Sequence, residues 1–188
     1  MKYWLLILCI LLSASCQDDS ARAAENERAA KKREAVFSSI NNSWQFDTRP
    51  AGAASQTLVA EWAEWRAFVT EISQKPQSTI GAFRKKARTL SVRALALRNN
   101  IPARFDKPEV RSRIGVLITK INALNLYINL PDIPEAKVRQ LITDVNREIA
   151  SLQRQFEEVV RRSSIPKEIG EEEMLRMLDT SRAIPTVE

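Results

Sequence analysis

Four successive segments of the chain repeat one spacing of apolar positions. Leu58, Trp62, Trp65, Val69 and Ile72 step by 4, 3, 4, 3. Ile80, Phe83, Ala87, Leu90, Ala94 and Leu97 do the same, as do Val110, Ile114, Leu117, Ile121, Leu124 and Ile128. The fourth set is Val138, Ile142, Val145, Ile149, Leu152, Phe156 and Val159. Such spacing puts each set on one stripe of an α-helix, the seam by which helices pack together. Pro76, Pro102, Pro131 and Pro166 fall in the breaks, and the links 74–77, 99–107 and 129–133 are short. Short links make long neighbouring helices antiparallel. The pattern therefore predicts an all-α fold, an antiparallel up-down four-helix bundle over residues 54–163. At 1.5 Å per residue it would be about 30 Å long.

Helix-start signals accompany the pattern. Ser55 and Ser78 are expected N-caps of the first two segments. Asp106 with Glu109, and Asp132 with Glu135, resemble capping boxes, with Pro108 and Pro134 in the tolerated first turn. The fourth helix is expected from Pro134 to Arg162, longer than its partners. Ser20 to Ile40 is rich in Ala, Arg and Glu without Gly or Pro, which predicts a helical stalk within an N-terminal tether and connector, 16–53. Residues 164–188 read as a short C-terminal helix and tail, acidic at Glu171–Glu173 and apolar at Met174, Leu175 and Leu178.

Composition narrows the chemistry. A chain of 188 residues with 44% hydrophobic content and 4 Gly is too apolar for disorder and too Gly-poor for a β-sandwich. It contains no His, which removes the commonest metal ligand and general base. Both cysteines, Cys9 and Cys16, lie near the N-terminus, so the body has no disulfide framework. Gly52, Gly81, Gly115 and Gly170 are isolated, which excludes phosphate-cradling loops. Three adjacent acids splay around a helix and cannot converge on one ion, and no EF-hand spacing occurs. The expectation is a non-catalytic protein without cofactor or metal. Trp62 and Trp65 lie on the seam and are expected in the core, with Trp44 and Phe46 closing the bundle end.

The first residues carry an address. Lys2 precedes an apolar run from Tyr3 to Leu12, about half of what a bilayer-spanning helix needs. Small residues follow, the pattern of a secretory signal. Leu12-Ser13-Ala14-Ser15-Cys16 resembles the lipobox of bacterial lipoproteins, with its Leu one position earlier than usual. That resemblance implies a signal peptide over 1–15, acyl chains such as palmitate on Cys16, and attachment to a membrane without crossing it. Gln17 stands where Asp causes inner-membrane retention in many such lipoproteins, which implies the outer membrane of the cell envelope. Asp18-Asp19 resembles an acidic surface-export tag and equally suits a helix start, leaving the periplasmic or surface side open. The resemblance covers only about the first 20 residues.

Charge adds one further feature. Between Glu71 and Asp106 there is no acid, while eight Lys and Arg give that stretch +8. Arg84, Lys85 and Arg88 sit away from the apolar stripe, with Val92 and Leu95 among them. These five residues form a candidate interaction surface. Its cover could come from within the chain, through Val36, Phe37 and Ile40 of the N-terminal helix or through the acidic C-terminal segment. It could also be an anionic partner such as lipid headgroups, lipopolysaccharide or an acidic envelope protein, or the face could simply be solvated. Nucleic acid does not suit an exported, tethered chain. The function expected is that of a membrane-anchored envelope lipoprotein with binding or structural work. The rivals are a small-ligand sensor or carrier and a carboxylate-dependent hydrolase.

Overall fold

A computed structural model describes residues 16–77, 79–166, 170, 174, 176 and 177. Among these residues the structure is all-helical: α1 Cys16–Ser43, α2 Ala53–Val59, α3 Ala63–Ser73, α4 Ile80–Ala96, α5 Pro108–Ile128 and α6 Glu135–Ser163. The expected signal peptide, Ser78 and most of the expected C-terminal helix lie outside the described residues.

The helices pack as a bundle around one core, and the seams of α4, α5 and α6 face it. Phe83, Ala87, Leu90, Ala94 and Leu97 are buried, as are all six seam residues of α5 and those of α6 from Val138 to Phe156. Residues early in α4 meet residues late in α5, and the middles meet each other, as Ser91 donating to Asn122 Oδ1 at 2.6 Å illustrates. The same holds for α5 and α6: Arg113 reaches Gln155 and Ser151, while Lys120 reaches Asp144. Each of these two neighbouring pairs therefore runs in opposite directions. Burial of so many large side chains, each worth about 1.5–3 kcal/mol, is the main term holding the helices together.

The first seam departs from expectation. Instead of one helix there are two, α2 and α3, separated at Ala60–Trp62. Trp62 adopts an extended backbone, its indole N–H donates to Asn99 O at 3.3 Å, and its ring stacks on Trp65 at 6.2 Å. Anchoring that ring between the links is what breaks the helix. Val59 and Phe68 are buried in consequence, whereas Leu58 and Val69 are only half-buried. Trp65 and Phe105 both contact Phe156 at 5.1 Å, so α3 meets α6 through rings.

Three expected caps are also replaced. Ser55 lies inside α2, buried, its hydroxyl donating to Gly52 O at 3.4 Å. Asp106 pairs with Arg111 at 2.5 Å, leaving Lys107 as the N-cap of α5 without a side-chain bond. Asp132 takes Lys32 of α1 at 2.9 Å, and Pro134 opens α6. In both cases a cation, Arg111 of α5 itself or Lys32 of α1, outcompetes a nearby backbone N–H for the carboxylate. Thr79 does cap α4, accepting from Ala82 N at 3.2 Å.

α1 is half exposed and half embedded. Its residues 20–35 are exposed, a length of about 24 Å. Burial begins at Val36 and Phe37 and is complete at Ile40 and Trp44. Phe37 meets Phe83 edge-on at 6.0 Å, and Trp44 meets Phe83 at 5.0 Å and Phe46 at 5.5 Å. The Trp44 Nε1–H, on a side chain 1% exposed, finds no acceptor among the described residues.

Candidate functional site

The candidate surface on α4 is built from its helical register. Lys85, Arg88, Val92 and Leu95 step by 3, 4, 3, so they share the face opposite the buried seam. Two cations occupy its start and two apolar residues its end. Val92 is 65% exposed and Leu95 45%. On the neighbouring α5, Leu126 is 61% exposed, and nothing lies within 4 Å of where a Cβ on Gly115 would stand. Among the described residues, Val92, Leu95 and Leu126 are left open to solvent.

Not all of its cations are free. Arg84 donates Nε to Ile128 O and Nη2 to Leu130 O, each at 3.0 Å. It therefore closes the C-terminal end of α5, where unsatisfied carbonyls and the negative end of the helix dipole favour a guanidinium. Arg88 donates to Asn129 Oδ1 at 3.0 Å at the same end. Lys86 pairs with Glu71 of α3 at 2.6 Å, both side chains being largely buried. The side chains of Lys85, Arg93 and Arg98 make no hydrogen bond or ion pair among the described residues. Of the five expected surface residues, Lys85, Val92 and Leu95 have no cover or partner among the described residues, Arg88 is exposed but bonded, and Arg84 holds two helices together.

The cationic charge of the α4 stretch continues over the α4–α5 hairpin. Residues 80–128 contain eleven Lys and Arg against two acids, Asp106 and Glu109. A cationic field over an open, partly apolar face attracts anionic partners.

A second feature is a groove of about 270 Å³ between the 48–60 stretch, α3 and α6. Val59, Trp65, Val69 and Phe156 supply apolar walls, and Arg66 stands exposed on the rim. Gln153, nearly buried, donates its Nε2 to Thr48 O at 3.0 Å at the edge. Sequence periodicity gave no sign of this groove, because it exists only where α2 turns away from α3.

Three acidic groups are engaged structurally, each by cations beside it. Hydrogen bonds from Arg161 and Arg162 hold the Glu158 carboxyl down to about 2. Arg49 does the same for Asp47, also to about 2. Asp144, on α6, is held below its ordinary value by the Lys120 hydrogen bond and by Arg147. Among the described residues no group of three His, Cys, Asp or Glu could hold a metal ion, and no helix is long and apolar enough to cross a membrane.

Comparison with protein-family models, curated proteins and solved structures finds no match for this chain.

Proposed function

We propose that the chain is a lipid-anchored lipoprotein of the cell envelope whose helical bundle does non-catalytic binding through the outer α4–α5 face. The carrying observation is that face: Lys85 and Arg88 exposed beside Val92 and Leu95, on a hairpin whose residues 80–128 hold eleven cations against two acids. Its fitting partner is an anionic lipid surface, whose headgroups match the cations and whose acyl boundary accepts the apolar residues. Two further features support a tether at Cys16. The lipobox-like residues end there, and the exposed stretch of α1 that follows could space the bundle from a membrane.

The test uses the full chain with Lys85→Glu and Val92→Asp, two exposed positions that hold no other helix. Binding to vesicles containing anionic lipid should fall several-fold, since each Lys or Arg near such a surface contributes about 1 kcal/mol. Neutral vesicles should bind weakly throughout. Equal binding of parent and variant to anionic vesicles overturns the reading, and retention of binding to an acidic envelope protein alone would reassign the partner. In parallel, Cys16→Ala should release the protein from membranes and abolish acyl labelling; membrane retention would remove the lipid anchor.

A second reading, carriage of a small ligand, is favoured by the groove beside Trp65 and Phe156. A small apolar ligand there would change Trp65 emission on titration, and Val69→Trp, which fills the groove, would abolish the change.

A further inference from the structure

The groove between the 48–60 stretch, α3 and α6 has a fixed floor. The Phe156 ring is held by Trp65 and Phe105, each at 5.1 Å, and by Trp62 at 6.2 Å. The opposite wall is tied to α6 as well: Glu157 Oε2 accepts Ser55 N at 3.3 Å, and Gln153 donates to Thr48 O at 3.0 Å. The groove is thus shaped before anything enters it, and an occupant has little protein to order on binding. Its volume of about 270 Å³ lies just below the range of about 300–1,000 Å³ usual for drug-sized ligands. That space suits one ring or one short chain.

The polar groups around it are unevenly placed. Arg66, Val69 and Thr70 stand at i, i+3 and i+4 of α3, which puts them on the one side of the helix that lines the groove. Among the described residues that line it, Arg66 alone is charged, so no acid opposes an anion there. The exposed Arg66 side chain makes no hydrogen bond or ion pair among the described residues. A guanidinium in that state presents a planar pair of donors that matches a carboxylate. Gln153 marks the other end. It is 8% exposed, uses its Nε2 on Thr48, and leaves Oε1 without a donor among the described residues. An acceptor on that wall disfavours a carboxylate, which leaves the Arg66 rim as the end for negative charge.

We infer that the groove binds a small amphiphile bearing one carboxylate, its apolar body against Val59, Val69 and Phe156 and its carboxylate on Arg66. This site rests on the second reading above, ligand carriage, and names the class of ligand carried.

Calorimetric titration of the full chain with octanoate and with octanol, which share a chain and differ in head group, tests the site. Octanoate should bind the parent several-fold more tightly than octanol, and the difference should shrink in high salt, as for an ion pair at an exposed rim. Arg66→Gln should remove that preference while leaving octanol unaffected, and Arg66→Lys should keep most of it. Val69→Trp, which fills the groove, should abolish binding of both. Equal binding of the two probes to the parent, or an Arg66→Gln variant that keeps the preference, overturns the carboxylate site and leaves the groove a site for apolar ligands. If neither probe binds, or if Val69→Trp melts like the parent by circular dichroism and binds both probes as before, ligand carriage fails and this site fails with it. Arg66 is exposed, so its variants decide the matter even where Val69→Trp does not fold.

Discussion

The carboxylate of Glu157, on α6, lies where the side chain of any other residue at position 52 would begin. A Cβ on Gly52 would stand 2.5 Å from Glu157 Cδ and Oε2. The Gly52 backbone is extended, with φ −158°, so the constraint is the close approach and not the dihedral. What the approach provides is a cap: Glu157 Oε2 accepts Ser55 N at 3.3 Å, satisfying an otherwise free N–H at the start of α2.

From this contact, Gly52→Ala should push the Glu157 carboxylate aside and cost about 1 kcal/mol, the usual loss for a missing cap. Glu157→Ala should cost about the same. Because both remove one interaction, the double variant should cost clearly less than the two single losses added together. Urea denaturation of the four proteins measures this. Full additivity would mean that Glu157 does not cap α2.

Arg84 and Lys85 are sequence neighbours with opposite expected behaviour. Arg84→Ala removes two charge-assisted bonds and strands the carbonyls of Ile128 and Leu130, so it should lower stability by about 2 kcal/mol. Lys85 has no polar partner among the described residues, and Lys85→Ala should stay within about 0.5 kcal/mol of the parent. Similar unfolding midpoints for the two variants would contradict the role given to Arg84. A surface test that reverses Arg84 would damage the fold as well as the surface.

Acid should weaken the fold through its paired carboxylates. Glu158 titrates at about 2 in the folded chain instead of its ordinary 4.5, because Arg161 and Arg162 bond its ionised form. A depressed carboxylate contributes stability that is whole above its unfolded value and is lost as pH falls toward the folded one. For Glu158 that window runs from 4.5 down to about 2. Asp144, held down by Lys120 and Arg147, adds a loss beginning near 3.8. Glu158→Gln should therefore be less stable than the parent at neutral pH and lose less on acidification. A parallel pH profile for parent and variant, followed by urea midpoints, would count against these pairs.

Ile121 is 1% exposed in the middle of α5, facing the core. Ile121→Asp would bury an unpaired carboxylate or force its protonation, a penalty of several kcal/mol against a total stability of about 5–15 kcal/mol. Its melting transition by circular dichroism should be lost or strongly lowered. A melt like that of the parent would mean the side chain escapes the core.

The sequence by itself determined the helices of α4, α5 and α6, and which face of each is buried. That information is local: a step of 3 or 4 residues places side chains on one stripe whatever the helix meets, and the proline-containing links bound each run. It also determined the one-sided charge of residues 80–128. Tertiary structure alone decided where partners far apart in the chain meet. Trp62, seated against Asn99, split the first seam into α2 and α3 and opened the groove beside Trp65. Asp132 left its expected cap for Lys32 of α1, and Arg84 turned from a surface charge into the closure of α5. A cap or a seam is specified by neighbours within a few residues. A guanidinium's choice among carbonyls and carboxylates depends on which helix the fold brings within about 3 Å, and no local spacing records that.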